Sequence, residues 1–357
     1  MVLSVRVPKS FGEEYRQELW NLGLIDPHYE ISSEGDYLYL PLKEEIQDED
    51  IEFIEESIQQ NREKEEKIQI LDKKLSKKTK EPKSLKDALY GKIPDEKISS
   101  TPSSFDIIGD IAIIDIPEDL TYEKMVIGKA LKKVHKNVET VLRPTSNVVG
   151  EFRTRNYEVI AGKEDTKTVH REHGCVYRID VSKAFFSPRL STERKIVSNQ
   201  VREGEVVFDM FAGVGPFSIL IAKERDVDTI YAVDKNPYAV EMLKENIKLN
   251  NVEDIVNPIH GDIREVAPSY SNKADRAIMN LPFKSGDFLY EAFELVSGGG
   301  IIHYYDIREE EDLFKGAERH IREIAYEKNR DFKIISKRVV RSYSPGVWNI
   351  AIDLRIE

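Results

Sequence analysis

The sequence predicts an α/β protein: a Rossmann-like, doubly wound sheet in its second half, behind a β-rich α+β middle domain and a small N-terminal α/β domain. Three observations lead there. From Glu193 onward, short apolar β-branched runs alternate strictly with amphipathic stretches, the pattern of strand and crossover helix. The run Val206-Val207-Phe208 ends in Asp209 and a turn holding Gly213 and Gly215, and Pro216 suits the first position of a helix. The next run, Thr229 to Val233, again ends in an acid, Asp234.

The boundaries follow from shifts in composition. Residues 1–65 are expected to form the N-terminal domain, with a strand at Ser4–Pro8. A helix over Phe11 to Leu22 and a strand at Tyr37–Leu40 follow, the strand after the Glu34-Gly35-Asp36 turn. Residues 66–98 are Lys-rich, with few apolar positions beyond Leu85, Ala88 and Leu89, and read as helix plus linker. Residues 99–190 form the middle domain. Phe105 to Ile116 makes two strands bent at Gly109, and Tyr122 to Val134 has helical spacing. Strand-like pieces follow at Val138–Leu142, Tyr157–Ala161 and Val176–Val181. Residues 191–357 complete the chain, with strands centred on Val207, Ala232, Ile259, Ile278, Ile302, Ile335 and Ile350. Helices are expected near 216–225, 236–249, 286–296 and 309–328. In such a sheet ligands bind at the carboxyl ends of the strands, near the switch point.

The chain has 357 residues, 33% charged and 40% hydrophobic. No segment approaches the ~18 to 20 apolar residues of a membrane span, and the N-terminus lacks the apolar core of a secretory signal. A cytoplasmic protein that engages no membrane is expected. Cys175 is the only cysteine, which rules out an intrachain disulfide. The net charge of −12 is concentrated in an acidic stretch from Glu30 to Glu66, opposed there only by Lys43, Arg62 and Lys64. Two basic clusters stand out elsewhere. One comprises Lys73, Lys74, Lys77, Lys78, Lys80, Lys83 and Lys86; the other Lys328, Arg330, Lys333, Lys337, Arg338 and Arg341. A local basic face suffices to bind a phosphate backbone. The first cluster reads equally well as a solvated linker.

The glycine turn lacks the third glycine of a dinucleotide fingerprint, since Ser218 stands there. Asp209, Gly213 and Gly215 with a second acid resemble instead the S-adenosylmethionine (SAM) site of class I methyltransferases. Asp234 is then the acid for a ribose diol. Asp262, after the third strand, either accepts from the adenine amino group or caps the next helix. Met279-Asn280-Leu281-Pro282-Phe283 closes the fourth strand. It resembles the Asn-Pro-Pro-aromatic motif of methyltransferases acting on planar nitrogen, with Leu281 in place of the first proline. An amide carbonyl can accept from an N–H of the target, and an aromatic can stack on a base; a plain strand-end turn is the other reading. His170, His173 and Cys175 have metal-like spacing but no evident fourth ligand in what reads as a hairpin, so no metal is expected. A thiolate mechanism is excluded, because Cys175 lies away from these motifs.

Four stretches together resemble the archaeal and eukaryotic tRNA (guanine-37 N-1)-methyltransferase family: Gly150-Glu151-Phe152-Arg153-Thr154-Arg155, Phe186 to Arg194, Asp209 to Phe217, and Met279 to Pro282. Ser104 to Asp110 resembles that family's second domain. The resemblance implies a three-domain monomer that methylates ring N-1 of guanosine 37 of tRNA, next to the anticodon. The anticodon loop would lie at the catalytic domain, and the N-terminal domain would touch the outer corner of the tRNA. It implies Glu193 as the base for the N-1 proton and Arg153 as the cation for charge developing on O-6, with Arg155 a competing candidate. Asn280 would orient the guanine and Pro282 would fix the loop. The cofactor-binding set it implies is Phe186, Arg189, Asp209, Phe211, Gly213, Gly215, Asp234, Lys235, Asp262 and Asn280. After Pro282 the chain departs from the family with Phe283-Lys284-Ser285-Gly286. That departure keeps open a wyosine-pathway activity, methyl or aminocarboxypropyl transfer to a tricyclic guanosine derivative at the same position. A catalytically silent tRNA-binding chaperone and a protein-glutamine methyltransferase are more distant alternatives.

Overall fold

The computed structural model describes residues 1–43, 68–77, 82–146, 152 and 154–357. Arg153, Gly150, Glu151, Lys78, Lys80 and most of the acidic stretch lie outside the described residues. The chain divides into two compact units, Met1–Glu81 and Pro82–Glu357.

The first unit is an antiparallel sheet of β1 (Val2–Pro8), β2 (Ser32–Glu34), β3 (Tyr37–Pro41) and β4 (Gln69–Lys73), in the order β2-β3-β1-β4. Helix α1 (Gly12–Asn21) places Tyr15 and Leu19 in a core with Val5, Val7, Leu40 and Leu42. Gly12 lets the helix close on Leu38, which any Cβ there would strike. Strand β4 corrects the reading of 66–98 as helix and linker. Its side chains are mostly exposed, so no apolar pattern announces it; it forms because its backbone completes the free edge of β1, Val5 opposite Ile70. The rest of that segment supplies α2 (Leu85–Leu89) and α3 (Asp95–Ile98), whose Leu85, Leu89 and Ile98 pack into the core of the second unit.

That second unit opens with a four-stranded sheet, β5 (Asp106–Ile108), β6 (Ile111–Ile113), β7 (Thr140–Pro144) and β8 (Tyr157–Gly162), in sequence order. Gly109 turns the β5–β6 hairpin at φ 58°, as its position in the sequence predicts. Helix α4 (Lys124–Val134) crosses over between the parallel β6 and β7 and approaches β8 closely at Gly128. A separate hairpin follows, β9 (Lys167–Glu172) and β10 (Cys175–Asp180).

The seven-stranded sheet contains β11 (Val206–Asp209), β12 (Thr229–Asp234), β13 (Val256–His260), β14 (Ala274–Met279), β15 (Val296–Glu309), β16 (Phe332–Ser344) and β17 (Val347–Ile356). Its order is β13-β12-β11-β14-β15-β17-β16. The first five in that order are parallel. Helices α5 (Ser191–Gln200), α6 (Pro216–Glu224), α7 (Pro237–Asn250), α8 (Ile263–Val266), α9 (Leu289–Leu295) and α10 (Lys315–Glu327) accompany it. Alternate strand residues enter two cores. Val207, Ile230 and Ile278 pack with Phe217, Leu220 and Leu243; Phe208, Val233 and Met279 pack with Leu289, Phe293 and Ile321. Strict alternation of strand and helix fails at the end. Strands β16 and β17 are joined by Pro345-Gly346, too short for a crossover, so β17 runs antiparallel between β15 and β16.

Hairpin β9–β10 is seated on α7 by two asparagines. Asn246 and Asn250 each accept from and donate to the free edge of β10, at Arg178 and Val176, over 2.7–3.1 Å. Among the described residues, no helix is long and apolar enough to cross a membrane.

Candidate active site

The chain leaves β11 on one side for β12 and β13 and returns on the other at β14, which opens a crevice at the carboxyl ends of these strands. A cavity of about 470 Å³ lies there. One wall is Met210 to Gly213 after β11, Asp234 to Asn236 after β12, Gly261 to Arg264 after β13 and Asn280 to Lys284 after β14. The other is Phe185 to Ser187 and Leu190 from the segment entering the sheet domain, with Phe152 and Tyr343.

Asp234 is the best-held acid in the cavity. Its Oδ2 accepts from the Gly213 amide at 2.7 Å and its Oδ1 from the Asn236 amide at 2.8 Å. Burial pushes its pKa above the usual carboxylate range, against the pull of those two donors. Gly213 sits at φ 56°, and the direction of its missing side chain is open, with the Phe185 carbonyl nearest at 3.8 Å. That open side leaves the Gly213 backbone reachable from the cavity.

Gly215 has a different reason for being glycine. It lies at φ 89° before α6, and a Cβ would strike Leu243 on α7 and meet Ile219 at 3.0 Å. It does not line the cavity. Asp209 is likewise set back. Its side chain is fully buried behind the turn, with Oδ2 accepting from the Ser218 hydroxyl at 2.7 Å and Oδ1 without a partner among the described residues. Burial is the main force lifting its pKa to about 7; the Ser218 hydroxyl opposes this and the Asp234 charge adds to it.

Asp262 meets its cap reading and also lines the cavity. Its Oδ1 caps α8 through the Arg264 amide at 3.0 Å, and its Oδ2 accepts from Lys235 at 3.1 Å. Burial would raise its pKa, but the Arg264 amide and the Lys235 ammonium outweigh that and hold it low. Phe211 meets Phe288 edge to face at 5.0 Å, under the Arg264 guanidinium. Phe186 lies against His170 and the Arg194 guanidinium.

The loop after β14 is tight. The Ser285 hydroxyl lies within hydrogen-bond reach of the Met279 and Leu281 carbonyls at 2.8 and 3.0 Å, and Phe283 takes φ 75°, a costly conformation for an aromatic residue. Asn280 lines the cavity, and its Oδ1 is buried without a partner among the described residues. A desolvated acceptor of that kind costs free energy until a donor arrives.

Two more expected site residues, Arg189 and Glu193, do not line the cavity. The Arg189 Nε donates to Asp106 at 2.5 Å and its Nη2 to Ser104 at 3.2 Å. Glu193 is 3% exposed and faces the sheet. Its Oε1 accepts from the Tyr305 hydroxyl at 2.7 Å and from Arg338, which also reaches Oε2. The chain of contacts continues through Asp353, His303 and Arg276 to Glu205. Arg153 lies outside the described residues. Arg155 stands 3.6 Å from Asp115.

The His-His-Cys spacing belongs to the β9–β10 hairpin. His170 accepts from the Gly109 amide, His173 sits at the turn beside Ser191, and Cys175 is buried. No metal-holding group of side chains occurs among the described residues.

Sequence reasoning missed Arg194, Phe288 and Tyr343. Arg194 is fully buried, clamps Glu172 through Nε and Nη2 at 2.6 and 2.8 Å, and forms part of the cavity wall. It adjoins Glu193 in a stretch already singled out. Tyr343 comes from the far end of the chain and gives no local signal.

Comparison with known proteins covers the whole chain. The profile of the TRM5/TYW2 methyltransferase domain matches residues 168–335, the TYW2 N-terminal domain residues 85–166, and the tRNA methyltransferase 5 N-terminal domain residues 4–51. The tRNA (guanine(37)-N(1))-methyltransferase Trm5b of Pyrococcus abyssi is 42% identical over 100% of this chain and 99% of its own length. The solved complex of aTrm5 and tRNALeu superposes with a TM-score of 0.70 at 36% identity, covering 99% of this chain and 100% of that one. Methanocaldococcus jannaschii Trm5 in complex with adenosine gives 0.64 at 36% identity, covering 99% of each chain.

Proposed function

Because the chain belongs to the TRM5/TYW2 methyltransferase family, we propose that it methylates ring N-1 of guanosine 37 of tRNA, with SAM as the methyl donor. One observation carries this reading: a single cavity joins a carboxylate held by two backbone amides, Asp234, to an unpartnered buried amide oxygen, Asn280.

The residues present fit SAM. The side of Gly213 facing away from the chain is open, and the Asp209 carboxylate keeps one oxygen without a partner. When bound, this cofactor supplies an electrophilic methyl group on a sulfonium. Asp234 accepts from the ribose hydroxyls, Asp262 from the adenine amino group, and Asp209 attracts the ammonium of the amino acid tail. Phe186, Phe211 and the backbone after β11 exclude water.

Toward the substrate, Asn280 accepts from the guanine edge and Pro282 stiffens the loop that presents it. Guanine N-1 bears a proton that must leave before it can act as a nucleophile, and its loss puts charge on O-6. Glu193 is the base in this reading, and Arg153 or Arg155 the cation at O-6. For that, the Glu193 carboxylate must exchange Arg338 for the substrate N–H. The outer corner of the tRNA goes to residues 1–65 and its anticodon loop to the cavity. Residues 99–190 serve RNA binding and 191–357 catalysis. A monomer in the cytoplasm suffices for this work.

A wyosine-pathway transfer is the second reading, favoured by the match of residues 85–166 to the TYW2 N-terminal domain. The deciding experiment incubates unmodified tRNA with labelled SAM and maps the nucleosides by mass. 1-Methylguanosine at position 37 is expected. Label on another atom or position, or no transfer, overturns the proposal.

A further inference from the structure

Arg341, near the end of β16, is half-buried, and its Nε is buried without a hydrogen-bond partner among the described residues. A guanidinium nitrogen in that condition has lost water and gained nothing in return. Its surroundings add a second positive charge. Burial, and then the like charge of Arg189, hold the Arg341 pKa below its ordinary value, while Asp106 and Tyr343 act the other way. Asp106 is already engaged by Arg189, with Ser104 on the same guanidinium. Arg341 therefore stands in the field of a carboxylate that Arg189 already occupies. Tyr343, two residues from Arg341, lines that cavity and packs edge to face on Phe283 at 5.1 Å.

A base entering the cavity past Phe283 and Tyr343 brings its own phosphodiester to the rim. A phosphate there offers the anionic acceptors that Arg341 lacks, in the planar geometry a guanidinium recognises. We infer that Arg341, with Arg189 beside it, forms a phosphodiester-binding site that holds the RNA backbone next to the nucleotide delivered to the cavity. The inference rests on the RNA-modifying reading above.

The test measures binding of an unmodified tRNA transcript to the full chain over a range of salt. Arg341→Gln should weaken binding about tenfold at moderate salt. It should also lower the log–log salt slope by about 0.9, the value for one phosphate contact on duplex, or slightly less on a single strand. SAM affinity of the variant should equal that of the wild type, which also reports that it folds. Arg341→Lys should restore most of the slope. Independently of any folding effect, the wild type should lose affinity when one linkage flanking the target nucleotide is made a neutral methylphosphonate. Arg341→Gln should be indifferent to that change. An unchanged slope in Arg341→Gln, or no linkage whose effect depends on residue 341, overturns the phosphate site alone. Wild-type chain that binds no tRNA overturns the RNA reading with it.

Discussion

The guanidinium of Arg338 donates to both carboxylate oxygens of Glu193, its Nε standing 3.0 and 3.2 Å from them, while its Nη1 donates to Asp353 at 2.6 Å. The carboxylate assigned the chemistry is thus also half of a buried ion pair that ties α5 to β16. Its two roles separate by substitution. Glu193→Ala leaves Arg338 short of one partner in a buried setting and should cost about 3 kcal/mol of stability. Glu193→Gln keeps an acceptor and should stay closer to wild type in melting temperature, yet lose roughly 10²–10⁴ in single-turnover rate. SAM affinity should hold in both. Full turnover by Glu193→Gln would remove it from the chemistry.

In the proposed reading, Asp209 makes SAM binding proton-linked. Its folded pKa is about 7, against about 3.9 for an unperturbed aspartate. The raised value means the folded state holds this proton more tightly than the unfolded chain. The associated stability is complete below the unfolded pKa and disappears as pH rises through about 7. An ammonium seated in the cavity in front of the turn favours the ionised form of Asp209 through its field, so SAM uptake near pH 6.5 should release a proton. Calorimetry in two buffers of different ionisation enthalpy checks this. In Asp209→Asn the buffer difference should shrink and the loss of stability toward pH 7 should flatten.

Asp234 anchors the Gly213 turn and, in the proposed reading, takes the ribose. Asp234→Ala should weaken SAM by roughly 10- to 100-fold, the scale of a charged hydrogen bond with its tether. Equilibrium titration that shows no change would dismiss the ribose role.

The two glycines of the turn should respond differently to alanine. Gly215→Ala meets Leu243 and a positive φ together, and thermal melts should show a loss of more than about 2 kcal/mol. Gly213→Ala carries only the backbone cost of about 1 kcal/mol, and its main effect should fall on SAM affinity. Equal melting shifts with equal SAM affinity would contradict this division.

Much of the site was legible because it is local. A buried parallel strand announces itself as an apolar run. A glycine at positive φ, an acid at a strand tip and an asparagine-proline turn are all encoded within a few residues. Residues 206–283 were therefore readable in order, and one wall of the cavity lies along them. What escaped depends on partners distant in the chain. Strand β4 exists because β1 has an open edge, and β17 turns antiparallel because its connection is two residues long. Sequence by itself determined the strands, the glycine turn and the acids at the strand tips, since backbone preference and hydrophobic period act over short range. Only the tertiary structure decided that Glu193 faces Arg338, that Arg189 turns to Asp106 and that Tyr343 lines the cavity. Those pairings depend on which side chains the packed sheet brings within a few ångströms, and no local pattern carries that.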